Sequence, residues 1–201
     1  MIAKACVDCI DRVIVTTDDP RMHKIALKYD VAMRGLRPRY LSGDRARSID
    51  VLTHVIKRCD LGNTYIMMLQ PSSPLRTVSD LRAVIGILRE NPNRCEAVAS
   101  VTKLTSTHPN KVQKIKGGYL TSFISGAISE RPRQELPAVY RLNGAFYLTH
   151  AATILKKKTL LPKKTIPYIM PEERSINLDR PWDVLMLNLL LDKKIVNIEE
   201  Y

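Results

Sequence analysis

The sequence has little of what marks several common kinds of protein. Only 5% of its 201 residues are aromatic, which leaves few side chains for stacking against nucleic-acid bases. Its eight glycines form neither of the common phosphate-binding patterns, G-x-G-x-x-G or G-x-x-x-x-G-K-[ST]. No apolar run is long enough to span a bilayer, and the N-terminus does not have the charged-then-apolar order of a signal peptide. We therefore expect a cytoplasmic protein without a membrane partner.

Cysteine is also scarce, with four residues in the chain. Cys6 and Cys9 have the Cys-x-x-Cys spacing, but Cys59 and Cys95 are isolated, so no second pair completes a zinc site. We expect free, inward-facing thiols rather than a metal centre or a disulfide framework.

Positive charge is abundant but dispersed. The formal net charge is +12, and the densest basic run is residues 156–158. An excess of Lys and Arg is compatible with nucleic acid, anionic membranes or small polyanions such as nucleotides. Because the charge is spread along the chain, we interpret most of it as solvated surface and do not expect nucleic-acid binding.

The hydrophobic pattern alternates between strands and helices. Short apolar runs predict strands at residues 13–17, 31–33, 65–69, 97–101 and 145–148. Helical spacing predicts helices ending near residue 9 and covering residues 20–28, 48–59, 78–89 and 181–191. Asp18, Asp19 and Pro20 supply an N-cap and a first-turn proline for the second of these, and Thr77-x-x-Asp80 is a capping-box-like start for the fourth. Such alternation favours an α/β, Rossmann-like, doubly wound and mostly parallel sheet in a single domain over residues 1–201.

Residues 102–139 differ from the rest of the chain. They are polar and proline-rich, with hairpin signals at Gly117-Gly118 and at Gly126. We interpret them as an embedded excursion of short strands that leaves the main sheet and contacts a second subunit.

Polar side chains follow the strand predicted at residues 65–69. Gln70, Ser72, Ser73 and Arg76 fall just beyond its carboxyl end, where ligands bind in open α/β sheets. An ordinary strand-to-helix turn has the same pattern, so this segment alone does not decide between a site and a turn.

Six motifs occur in the order and spacing of a known family. They are TTDD from Thr16, LRP from Leu36, LQPSSPLR from Leu69, PRQELP from Pro132, YRLNGAFY from Tyr140 and PYIMPEERSINLD from Pro167. Together they resemble the acylneuraminate cytidylyltransferases, also called CMP-sialic acid synthetases, including relatives that act on pseudaminic or legionaminic acid. The resemblance covers essentially the whole chain and implies a fold of the nucleotide-diphospho-sugar transferase type.

The resemblance implies a reaction of CTP with a nonulosonic acid, a nine-carbon 2-keto sugar acid. The products are the CMP-sugar and pyrophosphate, and Mg²⁺ is the cofactor. Such chemistry is mainly positioning and neutralisation of phosphate charge. Asp179 matches the family's metal-binding aspartate, and one or two carboxylates suffice for Mg²⁺. Without the resemblance, Asp179 would be interpreted as the N-cap of the last helix.

The resemblance also assigns residues to the two substrates. Arg37 and Ser48 match residues that hold the cytidine part, although they would otherwise be a surface arginine and a helix cap. Gln70 matches a glutamine that contacts the sugar. Tyr147 resembles a residue of the sugar pocket, although a buried strand tyrosine would have the same pattern.

Arg141 and Asn143 share the YRLNGAFY run and are expected in the substrate site, where Gly144 would let the backbone approach a ligand closely. Lys111 and Arg133 look like the family's basic pair for the sugar carboxylate, which often comes from the partner subunit of a homodimer. We count them with Asp179 as catalytic candidates, because an arginine fork suits a planar carboxylate. The alternative is solvated loop charge.

The sequence departs from the family in three places. The family's opening strand and basic loop, A-R-x-G-S-K-x-x-x-x-K-N, have no counterpart, so we expect an N-terminally truncated version of a longer enzyme, whose activity in this form stays open. Asn177 stands where many relatives have the first aspartate of S-I-D-x-D, which predicts weaker Mg²⁺ binding. Leu160 and Leu161 replace an aromatic pair of the sugar pocket, which favours a nonulosonic acid other than N-acetylneuraminate.

Two alternatives stay open at this point. One is an enzyme like CMP-Kdo synthetase, which acts on an eight-carbon sugar acid, although the PEERSINLD ending fits the sialate branch better. The other is a non-catalytic basic binding protein that retains the fold, which the missing loop and Asn177 favour. Salt-dependent nucleic-acid binding without turnover would indicate the second.

Overall fold

The computed structural model describes Cys6 and residues 8–196. The helix expected at the N-terminus lies mostly outside these residues. The helices are α1 (Pro20–Lys28), α2 (Ser48–Arg58), α3 (Val78–Glu90), α4 (Ala151–Lys157) and α5 (Pro181–Asp192). The strands are β1 (Tyr65–Met68), β2 (Ala97–Lys103), β3 (Gln113–Lys116), β4 (Tyr119–Ser122), β5 (Tyr140–His150) and β6 (Thr165–Ile169).

Four strands form the main sheet in the order β1-β5-β2-β6. β5 runs antiparallel to both of its neighbours, whereas β2 and β6 are parallel. Three of the four strands therefore point the same way, which agrees with an α/β, Rossmann-like fold. The sheet is mixed rather than mostly parallel, because two of its three strand pairings are antiparallel. The carboxyl ends of β1, β2 and β6 lie at the same end of the sheet as the amino end of β5.

Helices cover both faces of this sheet. Ile66 of β1 packs with Ile56 and Ile154 from α2 and α4. The next residue, Met67, packs instead with the cluster that contains Leu81 of α3. Because successive strand side chains point to opposite faces, the two clusters are the two sides of a three-layer sandwich.

The start signals of two helices are confirmed. The Asp19 carboxylate accepts a hydrogen bond of 2.7 Å from the Arg21 amide and begins α1 just before Pro20. Thr77 and Asp80 form the predicted capping box of α3, with each side chain bonded to the other residue's backbone amide. Such boxes satisfy amides that would otherwise lack a partner at the start of a helix.

Three of the strand predictions need correction. The strands expected at residues 13–17 and 31–33 reduce to one parallel bridge between Val15 and Ala32. β1 was predicted within a mostly parallel sheet, but it pairs with β5 in the antiparallel direction, and Tyr65 is 59% exposed. In the described part of the chain, its outer edge has no neighbouring strand to cover it.

Two elements were not predicted, α4 and β6. α4 has seven residues, which are too few to establish a helical period. Its last two residues and its C-cap are lysines. β6 contains Pro167, which lowers strand expectation; it lies at an edge of the sheet, where a proline is tolerated.

The excursion at residues 102–139 contains the expected hairpin. β3 and β4 form a separate two-stranded sheet, joined through Gly117 and Gly118 at φ values of 59° and 84°. Positive φ at both central residues is the geometry that favours glycine in two-residue hairpin turns. Several large apolar side chains of this region are exposed: Ile115, Tyr119, Leu120, Phe123 and Ile124.

The last helix forms as predicted but packs loosely. None of the residues of α5 is buried, and Trp182 is 63% exposed. Despite its apolar composition, α5 is short, and no helix of the described residues has the length and apolar character needed to cross a membrane.

Candidate functional site

The loop after β1 is fixed by an arginine that points inward. The Arg76 guanidinium donates hydrogen bonds of 2.6 Å to the Gln70 carbonyl and 2.8 Å to the Ala145 carbonyl of β5. Burial lowers the pKa of Arg76 to about 10, so the side chain remains charged at neutral pH. Arg76 therefore holds the loop against β5 and is not available to a ligand.

Gly144 of β5 is what allows this loop to lie so close. Its φ is +75°, and a β-carbon there would lie 2.1 Å from the Gln70 Oε1 atom and 2.8 Å from the Ser73 Oγ atom. No side chain fits at such distances. The expectation that Gly144 makes room for a ligand is therefore corrected, because the space is taken by Gln70 and Ser73.

An open cleft of about 270 Å³ lies beside Gln70. Three predicted site residues line it together: Ser48 at the start of α2, Gln70 after β1, and Tyr147 of β5. Its remaining walls are largely aliphatic and come from Ile49, Met68, Leu142, Lys158, Thr159, Leu160 and Leu161. Burial raises the pKa of the Tyr147 hydroxyl, which therefore stays protonated and can donate a hydrogen bond at neutral pH.

Asp179 lies on the other side of the same loop. The segment that carries it is bound to the loop by a 2.7 Å hydrogen bond from the Leu178 amide to the Ser72 carbonyl. The Asn177 side chain donates a 2.7 Å hydrogen bond to Asp179 Oδ2, and its own Oδ1 lies 3.0 Å from Ser73 Oγ. Ser73 therefore links Gly144, next to the cleft, with the exposed carboxylate of Asp179.

Asp179 is not the N-cap of α5. The N-cap of α5 is Arg180, and the Asp183 carboxylate accepts hydrogen bonds from the amides of Arg180, at 2.8 Å, and Asp179, at 3.2 Å. Because Asp183 fills this role, the Asp179 carboxylate is left facing solvent with the Asn177 amide beside it.

Two predicted substrate residues form hydrogen bonds within the protein. Asn143 is 2% exposed, and its amide nitrogen donates to Ser175 Oγ at 2.9 Å, while its oxygen accepts from the Ala145 amide at 3.3 Å. Both ends of the side chain are used within the protein, so Asn143 cannot reach a substrate. Arg141 is exposed and donates to the Ser175 carbonyl at 3.0 Å. Together they position the segment that leads to Asp179.

The two residues predicted for cytidine do not lie together in the cleft. Ser48 lines it and is the first residue of α2, without a capping hydrogen bond from its neighbour Arg47. Arg37 does not line it; its guanidinium donates to Asp18 at 3.0 Å and to Ser42 at 3.1 Å. The Arg37 hydrogen bond holds the pKa of Asp18 below its usual value, so this pair stays ionised at neutral pH.

The predicted carboxylate-binding pair lies on the excursion, away from the cleft-lining residues of the same chain. Lys111 donates to the Ser129 carbonyl at 3.2 Å, and Arg133 lies in an exposed 3₁₀ turn. His108 contacts the Pro137 carbonyl and the Asn110 amide, so loop structure accounts for both of its ring nitrogens.

Sequence reasoning missed a buried ion pair that anchors the PEERS motif. The Asp80 carboxylate accepts hydrogen bonds from the Arg174 guanidinium and, at 2.6 Å, from the Tyr168 hydroxyl. Burial opposes ionisation of Asp80, but these donors outweigh it and keep its pKa below the usual value. The same environment raises the pKa of Tyr168 to about 12. The capping-box pattern at Thr77 and Asp80 gave no indication of these distant partners.

A second group of polar side chains lies near the N-terminus. The ligand atoms of Cys6, Asp8 and Cys9 are within 4.8 Å of one another. Burial raises the pKa of Cys9, which disfavours the thiolate, and Asp8 pairs with Arg82 at 3.3 Å. All four cysteines are free, as expected. We assign no metal to this group.

The surroundings of Asp179 fit a magnesium ion. Mg²⁺ prefers hard oxygen ligands, keeps several of its waters and needs only one or two carboxylates. Asp179 offers a solvent-facing carboxylate, and the neighbouring Asn177 amide fixes one of its oxygens. Asp183 is less suitable, because its carboxylate is used in capping α5.

Comparisons with known proteins identify relatives of the chain. No protein-family model matches the sequence. The N-acylneuraminate cytidylyltransferase of Escherichia coli is 27% identical over 188 residues, which are 93% of this chain and 43% of that protein. The post-translational flagellin modification protein B of Campylobacter coli is 24% identical over 201 residues, with 94% and 80% covered. The CMP-N,N'-diacetyllegionaminic acid synthase of Legionella pneumophila is 23% identical over 196 residues, with 92% and 79% covered.

A solved structure has the same fold. It is a CMP:2-keto-3-deoxy-manno-octonic acid synthetase complexed with CTP, with a TM-score of 0.62 and 14% sequence identity over 96% of this chain and 85% of that one. The chain spans less than half the length of the Escherichia coli relative and about four fifths of the other two. The chain is therefore similar to N-acylneuraminate cytidylyltransferases and to a CMP-N,N'-diacetyllegionaminic acid synthase.

Proposed function

We propose that the protein is a cytidylyltransferase that activates a nonulosonic acid with CTP, giving the CMP-sugar and pyrophosphate. The observation that carries the proposal is the shared loop. Gln70 of this loop lines the cleft, and Ser73 of the same loop contacts Asn177, which holds Asp179. One segment thus connects a cleft of about 270 Å³ with an exposed carboxylate suited to a metal ion.

Each part of this arrangement has a role in the reaction. The Gln70 amide and the Tyr147 hydroxyl supply polar contacts to a sugar that packs against the aliphatic walls of the cleft. Ser48, on the same cleft, contacts the cytidine part. Asp179 holds Mg²⁺, which supplies charge neutralisation at the phosphates of CTP. Arg141 and Asn143 keep the Asp179 segment in place through Ser175.

The sequence relatives favour a nonulosonic acid over the eight-carbon alternative. Relatives at 23–27% identity are named for acylneuraminate or legionaminic acid. The CMP:2-keto-3-deoxy-manno-octonic acid synthetase is similar in fold, at 14% identity. A purely non-catalytic role is less well supported, because it leaves the exposed pairing of Asn177 with Asp179 without a purpose.

We further propose that the protein is a cytoplasmic homodimer. Four free cysteines suit a reducing compartment. The exposed apolar side chains of the excursion form a surface suited to self-association. In such a dimer, we propose that Lys111 and Arg133 of one subunit serve the cleft of the other. The sedimentation coefficient of the chain measures this assembly state.

A substitution at Asp179 tests the proposed reaction. Asp179→Ala removes the proposed metal ligand, and we expect pyrophosphate release from CTP and a nonulosonic acid to fall by at least about 100-fold, since a metal contributes several kcal/mol to such transition states. Circular dichroism should be unchanged, because the Asp179 side chain is exposed.

Asp192→Ala, an exposed carboxylate at the end of α5, is the matched control and should retain turnover. Unchanged release in Asp179→Ala would remove this residue from the site. No release by the unsubstituted protein, with any nonulosonic acid, would refute the proposed function.

A further inference from the structure

Asp80, near the start of α3, has more partners than a helix cap requires. It is 2% exposed, and its carboxylate accepts a hydrogen bond of 2.8 Å from the Thr77 amide, which belongs to the capping box. The same carboxylate also accepts a 2.6 Å hydrogen bond from the Tyr168 hydroxyl and bonds from both terminal nitrogens of the Arg174 guanidinium. The last two partners are additional to the cap.

The capping box of α5 has a simpler arrangement. Among the described residues, the Asp183 carboxylate of that box accepts hydrogen bonds from Asp179 and Arg180, which precede it in the same turn. Two partners of Asp80 lie 88 and 94 positions away in the chain. Apolar side chains of similar volume often stabilise a core as well as a buried ion pair does, because taking two charges out of water costs free energy. The buried pair therefore calls for an explanation besides stability.

The ion pair fixes the beginning of the Asp179 segment, which we define as residues 175–179. Arg174 ends a 3₁₀ turn, and Ser175, the next residue, is 1% exposed. Near the other end of the segment, the Leu178 amide donates a 2.7 Å hydrogen bond to the loop after β1. The proposed metal ligand is therefore carried by a short segment that is held at two places, and Asp80 provides one of them.

The capping box connects the same helix end with the loop after β1. Thr77 directly follows Arg76, whose guanidinium donates a 2.6 Å hydrogen bond to the Gln70 carbonyl. A single atom, Asp80 Oδ2, accepts from both the Thr77 amide and the Arg174 guanidinium. One carboxylate thus joins the loop that lines the cleft to the segment that carries the proposed metal ligand.

We propose that Asp80 is a positioning residue of the proposed metal site, because its bonds to Thr77 and Arg174 set the distance between the cleft and the Asp179 carboxylate. This inference rests on the proposed function, since Asp80 is buried and acts on the site only through other residues. Placement matters in such a reaction, because a shift of about 1 Å in the reacting groups can cost about 100-fold in rate. Without the ion pair, the Asp179 segment loses one of its two attachments, and its contact with Mg²⁺ weakens.

The first test removes the charge and keeps the shape of the side chain. Asp80→Asn still offers an oxygen to the Thr77 amide but no longer forms an ion pair with Arg174. The Mg²⁺ concentration that gives half-maximal pyrophosphate release should rise by at least about tenfold, as is common for residues that orient metal ligands. The KM for the nonulosonic acid should stay unchanged, because Arg76 still holds the Gln70 loop.

A second readout does not depend on turnover. The Asn177 side-chain amide donates to Asp179, so its ¹H–¹⁵N signals report on this contact in the free protein. These signals are assigned through their loss in Asn177→Asp, and they should move in Asp80→Asn. Tyr168→Phe removes one hydrogen bond to Asp80 and leaves the ion pair, so it should change both readouts in the same direction by a smaller amount. It also serves as the test if Asp80→Asn does not fold.

Leu88→Ala is the control for stability, because Leu88 is a core residue of the same helix and is 8% exposed. Removing such a leucine lowers the melting temperature. It should leave the half-maximal Mg²⁺ concentration and the Asn177 signals unchanged.

The inference is overturned if the half-maximal Mg²⁺ concentration stays the same in Asp80→Asn and Tyr168→Phe, or if it rises equally in Leu88→Ala. Either result leaves the proposed function standing. If the unsubstituted protein releases no pyrophosphate, the proposed function fails, whereas the Asn177 signals still decide whether Asp80 positions the Asp179 segment.

Discussion

At the scale of single residues, the pairing of Asn177 with Asp179 is the most informative detail. The sequence showed only that an amide replaces an acid, which predicted weaker metal binding. The structure adds that this amide donates a 2.7 Å hydrogen bond to the remaining carboxylate, which an ionised aspartate could not do. Asn177 therefore removes a charge from the site but orients the carboxylate that is left.

Restoring the second acid should strengthen metal binding. Asn177→Asp places two carboxylates in contact, so that each raises the pKa of the other in the absence of a cation. With Mg²⁺ present, the added charge should improve the apparent affinity about tenfold, since changes next to a metal ligand commonly alter affinity by about 10- to 100-fold. The measurement is the Mg²⁺ concentration that gives half-maximal pyrophosphate release.

Asn188→Asp is the matched control, because it adds the same charge to an exposed position of α5. It should leave the half-maximal Mg²⁺ concentration unchanged. A higher half-maximal Mg²⁺ concentration in Asn177→Asp would mean that the amide matters more to this site than the missing charge.

Residue roles were predictable where the partner is close in sequence and not where it is distant. The capping partners of Asp19 and Thr77 lie within three residues and were read correctly. The partners of Asn143 and Gly144 are Ser175 and Gln70, which the fold alone brings near. The sequence therefore did not show that Asn143 is bonded within the protein or that Gly144 lies against the Gln70 side chain.

At the scale of elements, pairing decided what the hydrophobic pattern could not. The run at residues 13–17, V-I-V-T-T, is entirely β-branched, and the run at residues 65–69, Y-I-M-M-L, has one β-branched residue, yet only the second joins the main sheet. A strand needs a partner with a free edge as well as a suitable sequence. The short α4 and the proline-containing β6 show the converse, because tertiary contacts support elements with weak local signals.

The β3–β4 hairpin should carry the dimer contact proposed above. Leu120 of β4 is 72% exposed, and burying such a leucine contributes about 1.5–3 kcal/mol. Leu120→Asp should therefore weaken self-association by at least about tenfold in sedimentation velocity measurements over a concentration series.

Leu27→Asp, at an exposed leucine of α1, is the control and should sediment like the unsubstituted protein. The hairpin would be excluded as the contact if both variants associated equally well. A chain that sediments as a monomer at all concentrations would contradict the dimer itself.

At the scale of the whole molecule, strand direction explains why distant motifs meet. Because β5 runs opposite to β1 and β6, its amino end lies at the end of the sheet where those two strands finish. Gln70, Arg141 and Ser175 therefore come from three separate segments to the same edge. The order of motifs and the fold class were readable from the sequence. The antiparallel course of β5, which brings the motifs together, was not.

The central claim is that the cleft next to Gln70 binds the sugar acid, and methyl NMR of the methionines tests it most directly. Met68 lines the cleft, whereas Met22 lies on α1, where it is 53% exposed. With ¹³C-methyl methionine, assigned through Met68→Leu and Met22→Leu, titration with a nonulosonic acid should shift the Met68 signal and leave Met22 in place. A Met68 signal that stays unmoved while the ligand saturates the protein would contradict the account.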